Sequence, residues 1–273
     1  MKKERLDVLL VERGLVSSRE RAKSSIMTGK VFVNGQKVDK AGTMVAVDAV
    51  VTVSDDGIGY VSRGGLKLAK ALNVFDINLS DKVVADIGAS TGGFTDCALK
   101  NGAVKVYAID VGYGQLAWSL RTDTRVINME RTNIRTVSPL AFSEQLDFIS
   151  IDVAFISLDK VLPVVKTILA PYGEVVALIK PQFEAGRDKV GKKGVVKDPA
   201  VHIEVINRII AVSQELDFGI AGLDCSPIKG PEGNIEYLLH LVSDPGVTAY
   251  DSLAVAKIVE DAHDVLNKRA GDK

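Results

Sequence analysis

Four charged residues punctuate this chain at or near the ends of apolar, β-like runs. Asp152 follows Phe148-Ile149-Ser150-Ile151, Lys180 follows Val175-Val176-Ala177-Leu178-Ile179, and Glu236 falls in the run beginning at Ile235, while Lys67 lies on a helical segment upstream. Any one of them alone is explained by a strand that ends in a solvated charge. Gathered at one rim they can do chemistry. An aspartate at a neighbouring strand end orients a lysine amine, and a lysine desolvated among other cations can lose its proton near neutrality and act as a general base.

A second pattern lies where the first of these runs meets a helix: Asp86-Ile87-Gly88-Ala89-Ser90-Thr91-Gly92-Gly93-Phe94-Thr95. In an open parallel sheet, ligands bind beyond the carboxyl ends of the strands, where glycines let the backbone approach a ligand and helix N–H groups face it. Asp110, ending the next run, has the position of an acid that accepts hydrogen bonds from ribose hydroxyls. Glycines at 88, 92 and 93 do not spell G-x-G-x-x-G, so a dinucleotide fits poorly. The acid beside them suits a ligand with an ammonium-bearing tail, as in S-adenosylmethionine. Methyl transfer from a sulfonium asks the protein mainly for in-line positioning. Asp152-Val153-Ala154-Phe155 lacks the Pro-Pro-aromatic turn associated with methylation of a base amino group, and a lysine ending the following strand favours a hydroxyl nucleophile.

These residues need a scaffold, and the hydrophobic rhythm predicts one. Short β-rich runs at Val83–Ile87, Val104–Ile109, Val126–Met129, Phe148–Ile151 and Val175–Ile179 alternate with helical segments near 92–100, 113–120, 139–145 and 156–169. Such alternation predicts βαβ units in an α/β fold with a mostly parallel, Rossmann-like sheet. A helix near 200–217, antiparallel strands at Ile220–Ser226 and Ile235–Val242, and a helix near 248–268 complete it. Upstream, Arg5–Glu12 and a segment capped by Ser17 or Ser18 and ended by Gly29 predict two helices. Val31-Phe32-Val33 runs into Asn34-Gly35, a hairpin turn, and Val45–Val53 predicts a further strand. The turn-rich stretch Asp55–Gly59 divides a small α+β domain, 1–60, from a large one, 65–268, with a linker at 61–64.

Composition supports two folded domains. The 273 residues are 47% hydrophobic and 25% charged, with only two cysteines, Cys97 and Cys225, far apart in sequence. That argues against a disulfide scaffold or metal cluster and predicts a reducing cytoplasm. The best apolar stretches are broken by Asp152, Lys166, Glu174 and Lys180, so no membrane span is expected. A near-neutral whole conceals a split: residues 1–45 hold ten Lys/Arg against five Asp/Glu, leaving 24 against 30 for the rest. A basic appendage on an acidic body predicts a polyanionic partner.

Taken together, Ser62–Leu68, Asp86–Thr95, Asp152–Leu158, Ile179–Glu184 and Gly233–Glu236 resemble the FtsJ-like (RrmJ-type) ribose methyltransferases over residues 81–242. With the N-terminal domain, the whole chain resembles the TlyA, or hemolysin A, family. The resemblance implies a class I S-adenosylmethionine-dependent fold and 2′-O-methylation of ribosomal RNA, at cytidines in both subunits for the best-known members. It assigns a catalytic tetrad to Lys67, Asp152, Lys180 and Glu236, and cofactor contacts to Asp86, Gly88, Ala89, Ser90, Gly92, Gly93 and Asp110, with Glu130 near the adenine. Ala154 stands where many relatives have serine. Arg5–Asp7, Ser18–Ala22 and Val31–Gly35 resemble the RNA-binding domain named after ribosomal protein S-four, in which Arg5, Arg19, Arg21, Lys23 and Lys30 would meet phosphates with little sequence reading. The older family name suggests a membrane-active hemolysin, for which the chain has neither apolar span nor secretion signal; the other alternative is a non-catalytic RNA-binding assembly factor.

Three smaller features complete the reading. Glu184–Lys197, with five basic residues and three glycines, predicts a loop beside Lys180 that orders on RNA. His202, His240 and His263 are scattered in sequence and take structural or surface roles. Trp118 and Tyr113 are expected to pack into the core.

Overall fold

The computed structural model describes residues 3–16, 18–27, 29–53, 59–248 and 252–268. Ser17 and residues 55–58 of the expected interdomain break therefore lie outside the described residues.

The N-terminal part contains β1 (Lys3–Arg5), α1 (Leu6–Glu12), α2 (Arg19–Met27), β2 (Val31–Val33), β3 (Gln36–Val38), β4 (Met44–Ala46) and β5 (Val51–Val53). Ser18 Oγ accepts from the Arg21 amide at 3.2 Å and so caps α2. Asn34 and Gly35, both at positive φ, make the tight β2–β3 turn expected of that pair. The single strand expected at 45–53 is two strands: β4 pairs with β1, and β5 pairs with β2. Leu6, Leu10, Ala22, Ile26 and Val31 bury a core that shares no member with the two cores beyond it.

The large part runs α3 (Gly64–Val74), β6 (Val83–Ile87), α4 (Gly93–Lys100), β7 (Lys105–Ile109), α5 (Trp118–Arg121), β8 (Val126–Met129), β9 (Leu146–Ile151), α6 (Leu162–Ile168), β10 (Leu169–Ile179), α7 (Pro181–Glu184), α8 (Pro199–Glu215), β11 (Gly219–Cys225), β12 (Tyr237–Val242) and α9 (Ser252–Lys268). The strands form one seven-stranded sheet in the order β11-β12-β10-β9-β6-β7-β8. β6 to β10 are parallel, and β12 runs against both neighbours. The chain reverses its direction of winding at β6, between β7 and β9, and a crevice opens beyond the carboxyl ends there.

Strand parity sorts the two faces, because successive side chains point to opposite sides of a sheet. Ala85, Ile87, Ile149, Ile151, Val175 and Ala177 pack against α6, α8 and α9. Val84, Val106, Phe148, Val176, Leu178 and Leu238 pack against α3 and α4. With both faces covered, the parallel strands read as continuous apolar runs.

Three helices expected from the sequence are shorter than predicted. The segment 113–120 yields only α5, because Gly112 and Gly114 give their amides to the carboxylates of Asp110 and Glu130. Residues 139–141 form one 3₁₀ turn capped by Ser138. The 156–169 segment splits into a 3₁₀ turn at 158–160 and α6, which has Pro163 in its first turn. The expected linker is also packed: Val61 gives its amide to Asp96 Oδ2 at 2.8 Å, and its carbonyl accepts from Arg21 at 3.0 Å.

Candidate active site

The same parity that buries Phe148, Val176 and Leu238 carries Asp152, Lys180 and Glu236 onto the α3 side of the sheet, one step beyond the strands. Register completes the grouping: Ile179 faces Tyr237 across β10 and β12, so Lys180 and Glu236 come next in line. Glu236 itself lies one residue before β12, not within a strand starting at Ile235. From the opposite direction α3, whose Leu68, Ala71 and Leu72 are buried in the core, delivers Lys67.

All four side chains meet. Lys67 Nζ donates to Glu236 Oε2 at 2.7 Å and lies 3.5 Å from Asp152 Oδ2. The other Asp152 oxygen, Oδ1, is ion-paired with Lys180 Nζ. Lys67 and Glu236 are almost sealed, at 9% and 1% side-chain exposure, whereas Asp152 and Lys180 keep 18% and 11%. Burial pulls the Lys67 pKa down, but Asp152 and Glu236 together outweigh it and leave it raised. Lys67 is thereby a fixed positive charge, and Lys180 is the amine that reaches open space.

That space consists of three adjoining cavities. The first, of about 380 Å³, is lined by Ser62, Lys67, Gly88, Ser90, Asp152 and Lys180 among others. Lys180 and the glycine turn thus share one cavity. The second, of about 440 Å³, extends past Asp110, Gln115, Thr132 and Asn133. The third, of about 850 Å³, opens on the other side of Lys180, among Phe155, Gln182, Phe183 and Arg187. Ala154 lines all three.

The glycine turn is packed closely against the strand end that carries Asp152. Gly88 has φ +86°, and a Cβ there would sit 2.5 Å from the Asp152 carbonyl oxygen. Gly92, at φ +93°, lies beneath Leu116 and Leu120 and supports the turn from behind. Ala89, Ser90 and Gly93 line the first cavity; Ser90 and Asp110 line the second, with Asp110 Oδ2 accepting the Ser90 amide at 2.8 Å.

Two expected cofactor residues are placed elsewhere. Asp86 has the parity of Val84, so it points under α4, where Oδ2 accepts from the Thr95 amide (2.9 Å) and hydroxyl (2.7 Å) and Oδ1 accepts from Ser150. At 1% exposure it is a buried brace of the turn, not a partner for a ligand ammonium. Burial pushes its carboxyl up to about 7, with the Asp152 charge adding to the rise against the Thr95 hydrogen bonds. Glu130 turns away from the second cavity to accept from the Gly114 amide at 2.7 Å and to pair with Arg121. It holds the loop after Asp110. The residues that do line the cavity at this strand end, Thr132 and Asn133, escape a reading by charge: the position matching Asp110 is Glu130, and Thr132, two residues further on, is brought to the cavity by its amide bond to the Asp110 carbonyl at 2.9 Å.

One further expectation shifts. Trp118 and Tyr113 are 65% and 67% exposed, so neither is core. His202 and His263 meet, with His263 Nε2 3.4 Å from His202 Nδ1. His202 also bonds Tyr237 Oη at 2.7 Å and the Val196 carbonyl at 3.0 Å, and burial pulls its pKa down to about 4. Asn234 pins the second half of the basic loop, taking the Val196 amide and giving to the Gly194 carbonyl. That loop is fastened at this end. In the N-terminal part, Asp7 is fully buried and gathers Arg5 and Arg19, both at 2.9 Å; Arg21 and Lys23 are exposed, and Lys30 is half-buried.

A doubly wound sheet with a glycine turn at the switch point and a Lys-Asp-Lys-Glu cluster beside it defines a methyltransferase of the FtsJ-like class. The sequence profile of the FtsJ-like methyltransferases matches residues 60–243, and that of the S4 domain matches residues 4–51. The chain is 43% identical to the 16S/23S rRNA (cytidine-2′-O)-methyltransferase TlyA of Mycobacterium tuberculosis (strain ATCC 25618 / H37Rv), covering 96% of each. It is 43% identical to Hemolysin A of Brachyspira hyodysenteriae over 87% of this chain and 99% of that one. A solved structure of a protein from Streptococcus thermophilus, described provisionally as a hemolysin, superimposes with a TM-score of 0.79 at 44% identity over 100% of both chains. The chain belongs to the TlyA (hemolysin A) family of rRNA methyltransferases. Its cofactor is that of the family, S-adenosyl-L-methionine, and the cradle over Gly88 with Asp110 at the next strand end fits an adenosyl group bearing a short tail. Among the described residues no helix is long and apolar enough to cross a membrane.

Proposed function

We propose that this protein methylates the 2′-hydroxyl of a cytidine in ribosomal RNA, acting on ribosomal subunits in the cytoplasm. In this reading residues 1–60 grip structured RNA, residues 61–64 link the domains and residues 65–268 carry the reaction. The observation that supports it most is the placement of Lys180. Its amine is anchored on Asp152, at the junction of the cavity that holds the glycine turn and the larger one that opens toward Phe155 and Phe183.

When bound, the sulfonium supplies an electrophilic methyl carbon whose bonding pair leaves with sulfur. The chain's own residues do the rest. Gly88, Ser90 and Asp110 would hold the adenosyl side, leaving the first cavity for the methionine end. Lys180, once its ammonium has released a proton to solvent, orients the ribose hydroxyl through Nζ and takes its proton as the oxygen–carbon bond forms, and Asp152 holds Lys180 in line. Lys67 and Glu236 fix Asp152 by charge from behind. Arg5, Arg19, Arg21, Lys23 and Lys30 provide salt-sensitive attachment to phosphates.

Lys180→Ala tests the assignment. Methyl transfer to ribosomal RNA should fall by about 10²–10⁴-fold, while calorimetry with S-adenosylmethionine shows near-normal affinity. Unchanged turnover refutes the role. Mass spectrometry of ribosomal RNA nucleosides with and without the gene identifies the methylated nucleotide.

A further inference from the structure

Glu184 is a carboxylate for which the reaction just described has no use, yet it is only 2% exposed. It closes α7, four residues beyond Lys180. Its Oε1 accepts the Leu158 amide at 2.8 Å, and its Oε2 accepts from Ser157 Oγ and from Arg208, both at 2.5 Å. Arg208 also donates to the Glu184 backbone carbonyl at 3.1 Å. Ser157 in turn caps the 3₁₀ turn at 158–160. One buried carboxylate therefore joins the segment that leaves Lys180 to the segment that leaves Asp152, and α8 braces both through Arg208.

We propose that Glu184 is a positioning residue for the Lys180–Asp152 pair, holding the turn 153–158 that walls the cofactor and nucleoside cavities. The inference rests on the reaction assigned above. The contacts form a closed circuit: Asp152, the turn, Ser157 and Leu158, Glu184, α7, Lys180, and back to Asp152 by the ion pair. Within that circuit Phe155 sits at φ +62°, an unfavourable conformation for a bulky residue; its side chain is exposed, so the restraint on it comes through the backbone of the turn on either side. Its ring lies 4.8 Å from that of Phe183, beside Glu184, so both sides of the third cavity hang on the same tie. β9 and β10 hold their backbones together only up to Ile151 and Ala177. Lys180 follows the last β10–β12 pair, and the Asp152 amide is held by the Ile87 carbonyl at 2.9 Å. What is left for Glu184 to hold is the turn 153–158 and α7 beyond them, and charge-assisted hydrogen bonds to a sealed carboxylate are strong ones.

The test compares full-length wild type with Glu184→Ala and Glu184→Gln. Because a 1 Å misplacement costs about 100-fold in rate, the alanine variant should lose roughly that factor in kcat. Affinity for S-adenosylmethionine and KM for RNA should change much less than kcat, by no more than about threefold, since alignment of the reacting atoms is more sensitive to a loosened wall than binding is. Glutamine, which keeps an acceptor for Leu158, should restore at least about tenfold of the loss. Amide exchange at Leu158 should quicken in the alanine variant. Should alanine prevent folding, Ser157→Ala removes a single tie and should lower kcat in the same direction. The inference is overturned if kcat in Glu184→Ala stays within about twofold of wild type, or if its loss matches the unfolded fraction seen by circular dichroism. Wild-type protein that transfers no methyl group to RNA refutes the assigned reaction instead; Leu158 exchange then decides the tie by itself, and unchanged exchange overturns it.

Discussion

Lys67 and Glu236, 169 residues apart in sequence, form the most deeply buried ion pair of the site, at 2.7 Å. Its consequence reaches a third residue. With Glu236 attending to Lys67, Asp152 keeps one oxygen for Lys180. Removing Glu236 leaves a buried ammonium with Asp152 alone and draws that carboxylate away from Lys180. Glu236→Ala should cost about 3–5 kcal/mol of stability, as breaking one side of a buried pair does. Replacing both partners, Lys67→Met with Glu236→Leu, should recover most of that stability, because the cost was an uncompensated charge. It should not recover methyl transfer. Urea midpoints and turnover, measured on the same preparations, separate the two effects; a double variant that regains turnover would deny the pair its part in holding Asp152.

Gly88 offers a test of the cofactor cradle. An added methyl meets the Asp152 carbonyl oxygen at 2.5 Å and must be borne at φ +86°. Gly88→Ala should lower affinity for S-adenosylmethionine by at least about tenfold and cost about 1–3 kcal/mol of stability. Gly114→Ala, also at positive φ but with nothing within 4 Å of the new atom, should carry the strain alone. Calorimetric titration of both variants reads the difference, and equal affinities would count against the cradle.

Asp86 makes stability depend on pH in a direction opposite to that of most carboxylates. Its pKa rises from 3.8 when unfolded to about 7 in the buried site. The folded state therefore holds its proton longer, and the stabilisation present below the unfolded pKa is lost as pH rises to the folded one. Asp86→Asn, which keeps the shape and cannot ionise, should gain on wild type by on the order of 1 kcal/mol per pH unit inside that window. Denaturant melts of both proteins at about pH 5 and about pH 8 show the gain, taking the window from its two end values. A difference that does not change between them rules out the buried proton.

On the RNA side, Asp7 gathers Arg5 and Arg19, and these guanidinium groups hold its carboxyl down at about 2. The arrangement offers two oriented cations beside exposed Arg21 and Lys23. Arg19→Ala should weaken RNA binding at every sequence tested and reduce the slope of log affinity against log salt by about 0.7–0.9. An unchanged slope would mean that Arg19 touches no phosphate.

Much of this protein is legible before folding. The αβ alternation, the Asn34-Gly35 hairpin and the charges ending their runs follow from local preferences that operate within a few residues. Parity is equally local: Asp152, Lys180 and Glu236 share the parity of Phe148, Val176 and Leu238, and Asp86 shares that of Val84, although only packing puts α4 over Asp86 and leaves the other three at an open rim.

Strand order is another matter. Nothing in the run Val175–Ile179 says that it lies between β9 and β12, and only that neighbourhood makes Asp152, Lys180 and Glu236 adjacent. The turning of Glu130 toward Arg121, the meeting of His202 with His263 and the tie made by Glu184 likewise depend on elements far apart in sequence. Residue types and periodicity are properties of neighbours along the chain. Which charge faces which is settled where separate elements pack, because a buried polar group must find its partner among whatever the packing brings within about 3 Å.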